Sequence, residues 1–204
     1  MKISNLGYLR LVFFMQPLAL GAWFPRIPQV QQSIGLSEGE LALALMGMPF
    51  GLLFALSFGS KLAERLGTRG LLTIGLCAYL FSMPLPAIAL TGPALFGALG
   101  IVGVCMAIAQ LSLNVTATEL EARSDKSIMN GCHVFWSIGV LVGSALGAIA
   151  AEARIAPGLS LLMVSTVSFI PLVFGARQIT DYALPLPSKP QSQGHRPSRQ
   201  LIYI

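Results

Sequence analysis

Six polar side chains stand inside otherwise apolar stretches of this 204-residue chain: Gln16, Gln110, Asn114, Asn130, His133 and Trp136. Amides, an imidazole and an indole donate and accept hydrogen bonds, and an indole face beside polar groups suits a sugar ring. Asn130, His133, Ser137 and Ser144 recur at helical spacing, which places them along one face, with Trp136 beside it. Gln110 and Asn114 also lie one turn apart on a neighbouring stretch. The plainer reading of Gln110 and Asn114 is hydrogen bonding between helices, and that of His133 is a satisfied neutral imidazole.

Other chemistries lack their residues. No Asp or Glu falls inside any apolar stretch, so no buried carboxylate is present to relay protons, and His133 is the only candidate proton carrier there. A serine hydrolase needs its nucleophile in a Gly-x-Ser setting near a histidine. Gly158-Leu159-Ser160 offers that serine at the outer start of the sixth stretch, remote in depth from His133. Cys77, Cys105 and Cys132 are odd in number, lie in apolar surroundings and have no C-x-x-C spacing, so they read as small buried hydrophobes. No metal ligand set and no cofactor motif is present.

The elements that must position these groups follow from composition. With 54% hydrophobic and 10% charged residues, the chain is far below the roughly 25% charge of a soluble domain. From Gly70 to Thr118 no charged residue occurs, and as a helix that run would reach roughly 74 Å, enough for two crossings of a ~30 Å hydrocarbon core. Charge-free runs and turn residues predict six transmembrane helices over 3–25, 41–60, 70–90, 93–118, 127–151 and 155–176, an all-α membrane fold. Pro25 and Pro28 are expected to end the first, Ser37 with Glu40 reads as a capping box for the second, and Thr91-Gly92-Pro93 turns the third into the fourth. Glycines at 139, 143 and 147, at 47 and 51, and at 97, 100 and 103 mark faces for close helix approach.

The 13 Lys and Arg residues fall unevenly. With a cytoplasmic N-terminus, only Arg26 and Arg154 lie outside, against the acidic Glu38, Glu40 and Glu152. The positive-inside rule therefore predicts cytoplasmic termini, and topology accounts for the net charge of +5 without a nucleic-acid partner. Residues 178–200 read as a hydrophilic, proline-rich cytoplasmic linker, and 201–204 as the possible start of a seventh helix.

Between the second and third stretches the chain reads Gly59-Ser60-Lys61-Leu62-Ala63-Glu64-Arg65-Leu66-Gly67-Thr68-Arg69. This resembles the signature loop of the major facilitator superfamily, G-x-x-x-[DE]-R-x-G-x-[RK], with Glu64, Arg65, Gly67 and Arg69 matching and Ser60 at the leading glycine. An acid and two bases beside a glycine turn can latch neighbouring helix ends. Trp23-Phe24-Pro25-Arg26-Ile27-Pro28 and the run from Ser127 to Gly139 are similar to a bacterial inner-membrane branch related to the fucose permease. The resemblance implies a solute transporter working by alternating access, with this chain as its N-terminal six-helix half around part of a central cavity. It further implies a small-molecule solute such as a sugar or related metabolite, the lipid bilayer as surroundings, and a second six-helix half or a homodimer partner. A truncated, non-transporting remnant is the alternative expectation. The same resemblance leads one to expect acids in the first and fourth helices, where this chain has Gln16, Gln110 and Asn114.

Overall fold

The computed structural model describes residues 3–124 and 127–179, with the side chains of 3, 4, 60 and 68 left aside. Among the described residues there is no strand, and six helical segments are long and apolar enough to cross a membrane. The expected linker and the possible seventh helix lie outside the described residues.

The first span runs from Asn5 to Ile34, further than expected. It is assembled from α1 (Ile3–Met15), α2 (Leu18–Trp23), a 3-10 turn (Phe24–Arg26) and α3 (Ile27–Ile34). Pro25 and Pro28 do not stop it because each sits in the first turn of its short helix, where no N–H is needed. Termination falls instead to Gly35, whose φ of 68° is the left-handed cap conformation, with its N–H directed at the Gln31 and Gln32 carbonyls.

The second span is α4 (Glu38–Leu45) followed by α5 (Gly47–Leu56). The capping box is present: the Glu40 N–H donates to Ser37 Oγ at 3.3 Å and the Ser37 N–H donates to Glu40 Oε2 at 2.8 Å. The stretch resembling the signature loop is itself helical, forming the start of α6 (Gly59–Ser82), and is set off from the third span by a single non-helical residue, Gly67 at φ 68°, ψ 163°. A glycine is required there because a side chain would be strained at that φ. The third span closes with a 3-10 turn, Leu85–Ile88. The last three spans are α7 (Gly92–Ser124), α8 (Met129–Glu152) and α9 (Pro157–Gln178), within a few residues of expectation except that α7 continues past Thr118. At 33 residues α7 is about 50 Å long, well beyond a ~30 Å hydrocarbon core.

Helix pairing is ordered. The second span packs on the fourth, the fourth on the third, the third on the sixth, the sixth on the first and the first on the fifth. Exchanging the first three spans for the last three leaves this pattern unchanged. The register agrees: a Cβ on Gly139 or Gly143 would run into the carbonyls of Phe14 or Leu18, and one on Gly47 or Gly51 into those of Phe96 or Gly100. Likewise Gly21 abuts the Val140 carbonyl and Ser144 amide, as Gly103 abuts the Met48 carbonyl and Leu52 amide. One constant shift superposes the first span on the fourth, and another the second on the fifth. The six helices are thus two three-helix units joined through interfaces in which backbone meets backbone. Gly97 departs from the expected glycine face, with nothing within 4 Å of a Cβ placed on it.

The apolar core gathers Leu9, Val12 and Phe13 of the first span, Leu76, Tyr79 and Leu80 of the third, Leu95, Leu99 and Val102 of the fourth, and Leu161 and Leu172 of the sixth. Phe50, Phe54, Leu141, Val167 and Ile170 stay exposed, as suits a surface bathed in hydrocarbon.

Candidate functional site

The candidate site depends on how α8 begins. Glu121, near the end of α7, turns its carboxylate onto the start of α8, where Oε2 accepts the N–H groups of Ile128 at 2.9 Å and Met129 at 2.7 Å. Those amides have no helical acceptor of their own, and the negative charge suits the positive end of the helix. No local pattern marks a cap whose acceptor comes from the preceding helix.

This junction fixes the relative depth of α7 and α8. Asn114 lies about 10 Å along α7 from Glu121, and Trp136 about 10 Å along α8 from Met129, so these two share a level. His133 and Asn130 come one and two turns nearer the junction, and Gln110 about one turn beyond it. Gln110, Asn114, Asn130 and His133 are therefore spread over several turns of helix.

Asn114, Asn130 and His133 are exposed, whereas Gln110 and Trp136 are half-buried. The His133 ring stands edge-on to Phe13 with centroids 5.9 Å apart, and Ser137 Oγ donates to the His133 carbonyl at 3.0 Å. Trp136 Nε1 and Gln110 Oε1 are buried without a hydrogen-bond partner, so each retains unused capacity. Ser144, on the same face of α8, is committed to the first span, its Oγ donating to the Gly21 carbonyl at 3.2 Å.

Gln16 differs in burial from His133 and Trp136. It is 0% exposed and sits at the break between α1 and α2 where Pro17 interrupts the helix. Packing of the first span against the sixth turns it inward, which hydropathy alone does not reveal.

At the signature stretch Glu64 and Arg65 are exposed. Arg69 donates from Nη2 to the Arg177 carbonyl at the end of α9, and its own carbonyl accepts from Thr73 Oγ1 at 3.0 Å. The Ser60 side chain lies outside the described residues. Two further arginines carry structure that the sequence did not disclose. Arg26 is fully buried and donates to the Ile155 carbonyl, tying the first span to the turn between α8 and α9. The Arg10 guanidinium lies 5.5 Å from the centre of the Phe135 ring, a cation–π contact between the first and fifth spans.

Among the described residues no group of three or more His, Cys, Asp or Glu could hold a metal ion. Ser160 is buried with its hydroxyl donating to the Pro157 carbonyl at 2.9 Å, in the first turn of α9. All three cysteines are free.

Two comparisons bear on the class of protein. Over 142 residues the chain is 29% identical to an uncharacterized MFS-type transporter of Yersinia pestis, a match covering 70% of this chain and 37% of that protein. Over 138 residues it is 27% identical to an uncharacterized transporter of Sinorhizobium fredii, covering 68% of this chain and 37% of that one. No family model matches. The chain thus spans little more than a third of the length of the curated relatives it matches. Six apolar spans define a multi-pass membrane protein, and the relatives it resembles carry the name of transporters. The chain is similar to a protein named as an MFS-type transporter, and its six membrane-capable helices are consistent with one half of that fold.

Proposed function

We propose that the chain is the N-terminal half of a secondary transporter that moves a small solute, a sugar or related metabolite, across the bacterial inner membrane by alternating access. The observation that supports this most is the exchange symmetry of the packing. The first and fourth spans occupy equivalent positions, each packed on the second or fifth span of the other three-helix unit and touching one another. Repeats of this kind place a solute site between them in rocking transporters. Asn114, Asn130, His133 and Trp136, with Gln110 one turn deeper, supply hydrogen bonds and an aromatic face to the solute. Gln16 acts from behind these groups. Glu64, Arg65, Gly67 and Arg69, with Ser60, form a latch that favours one state of the rocking bundle. Both termini are cytoplasmic in this reading, and the second wall of the cavity comes from another six-helix unit or a second copy of this chain.

Reconstitution in liposomes tests this reading. The 204-residue chain alone is expected to show no saturable uptake from a panel of sugars, and uptake is expected once a matching second six-helix unit is supplied. That uptake should fall on His133→Ala and Trp136→Ala. Saturable uptake by the chain alone, abolished by either variant, would show a homodimeric carrier and overturn the half-transporter reading.

A further inference from the structure

Four buried polar side chains stand apart from the exposed polar groups of α7 and α8 described above. Gln16, Tyr79, Ser165 and Ser168 come from the first, third and sixth spans and are 0%, 0%, 5% and 0% exposed. Both polar atoms of the Gln16 amide and all three hydroxyl oxygens lack a hydrogen-bond partner. Unsatisfied groups at this depth are costly, and four from three different helices in one region are unusual.

Neighbouring contacts bring them to a common level. Tyr8 meets the Phe174 ring with centroids 5.8 Å apart, and a Cβ on Gly175 would touch the Val12 side chain. Moving outward from that contact reaches Gln16 on the first span and Ser168 on the sixth. Phe81 pairs with Phe169 at 5.7 Å, which brings the third span alongside Ser168. The Tyr79 hydroxyl approaches the Leu20 backbone, one turn beyond Gln16, without reaching hydrogen-bond geometry. Ser165 and Ser168 share the buried stripe of α9 with Leu161 and Leu172, the stripe that packs on the first and third spans. Gln16 lies about 16 Å along the helix from Asn5, near the middle of a ~30 Å hydrocarbon core.

A proline adds an acceptor at the same place. Pro17 has no N–H, so the carbonyl of Phe13 loses its helical donor at the break between α1 and α2. The region therefore gathers an amide oxygen, three hydroxyls and one freed carbonyl, all neutral oxygens, beside a helix broken near the midplane.

We propose that this layer binds a sodium ion. Hydroxyl, amide and freed backbone carbonyl oxygens at broken helices are the ligands that replace the hydration shell of a monovalent cation within a membrane. A wholly neutral oxygen set matches one positive charge, whereas a divalent ion draws on carboxylates. The rival arrangement is direct hydrogen bonding among the four side chains. Use of the ion to drive solute movement rests on the transport reading, and it would supply a coupling ion to a chain with no carboxylate in its apolar stretches.

Thermal unfolding of the purified full chain in detergent decides it, in sodium, potassium and choline chloride at equal ionic strength. A saturable rise in Tm with sodium alone is expected. Ser168→Ala and Ser165→Ala should each weaken the apparent sodium affinity by about tenfold or more, while Ser137→Ala, on the exposed face of α8, leaves it unchanged. Equal Tm in the three salts, or a sodium response unaltered in both Ser165→Ala and Ser168→Ala, overturns the site and leaves the hydroxyls as interhelical hydrogen bonds. The Tm readout does not require transport. A failed liposome uptake with an intact sodium response removes the transport reading alone, and saturable uptake with no sodium response in Tm removes the sodium site alone.

Discussion

Arg69 donates to the carbonyl of Arg177, joining the stretch between the second and third spans to the cytoplasmic end of the sixth in the proposed orientation. The bond uses a carbonyl in the last turn of α9, where the helix offers acceptors without internal partners and carries partial negative charge. Arg69 is exposed, so the contact contributes modestly to stability while tying the signature stretch to the last turn of α9. In a complete transporter, Arg69→Ala and Arg65→Ala should lower the transport rate by up to about tenfold with little change in solute affinity. Measuring rate and affinity separately checks this. A large affinity loss at unchanged rate would assign these residues to the solute site instead.

Backbone contact between the first and fifth spans makes a second expectation. A Cβ at Gly143 meets the Leu18 carbonyl and its Cα, which cannot move aside as a side-chain tip can. Gly143→Ala should destabilise by about 1–3 kcal/mol, and Gly51→Ala, at the equivalent place against Gly100, by a similar amount. Gly97→Ala has open space and gains helix propensity, so it should be neutral or stabilising by up to about 1 kcal/mol. Equilibrium unfolding in detergent compares the three.

The Glu121 cap should be measurable at the start of α8. Glu121→Ala leaves the Ile128 and Met129 amides without their acceptor and should destabilise the start of α8. Glu121→Gln keeps an acceptor oxygen and should retain most of the stability. Hydrogen exchange at residues 128–131 should accelerate in the first variant far more than in the second.

Topology gives the fourth expectation. A single cysteine at Ser33, near the end of the first span, should be labelled from outside intact cells, and one at Ser192 only after permeabilisation. External labelling of both at equal rates would reverse the proposed orientation.

Sequence alone determined the six spans, because within lipid every backbone polar group must be satisfied inside its own helix and only long apolar runs can do this. It also determined the capping box at Ser37 and Glu40, since both partners lie within one turn. Tertiary structure decided what depends on neighbours distant in sequence. Pro25 and Pro28 looked like a stop and became the first turns of continuing helices, while Gly97 looked like a contact and faces open space. Gln16 and His133 were alike as polar residues in apolar runs, yet one is fully buried between packed spans and the other exposed. Hydropathy is a local sum and fixes depth in the membrane. Which face of a helix turns inward is set by helix pairing, and that pairing is governed by backbone approach at glycines dozens of residues apart.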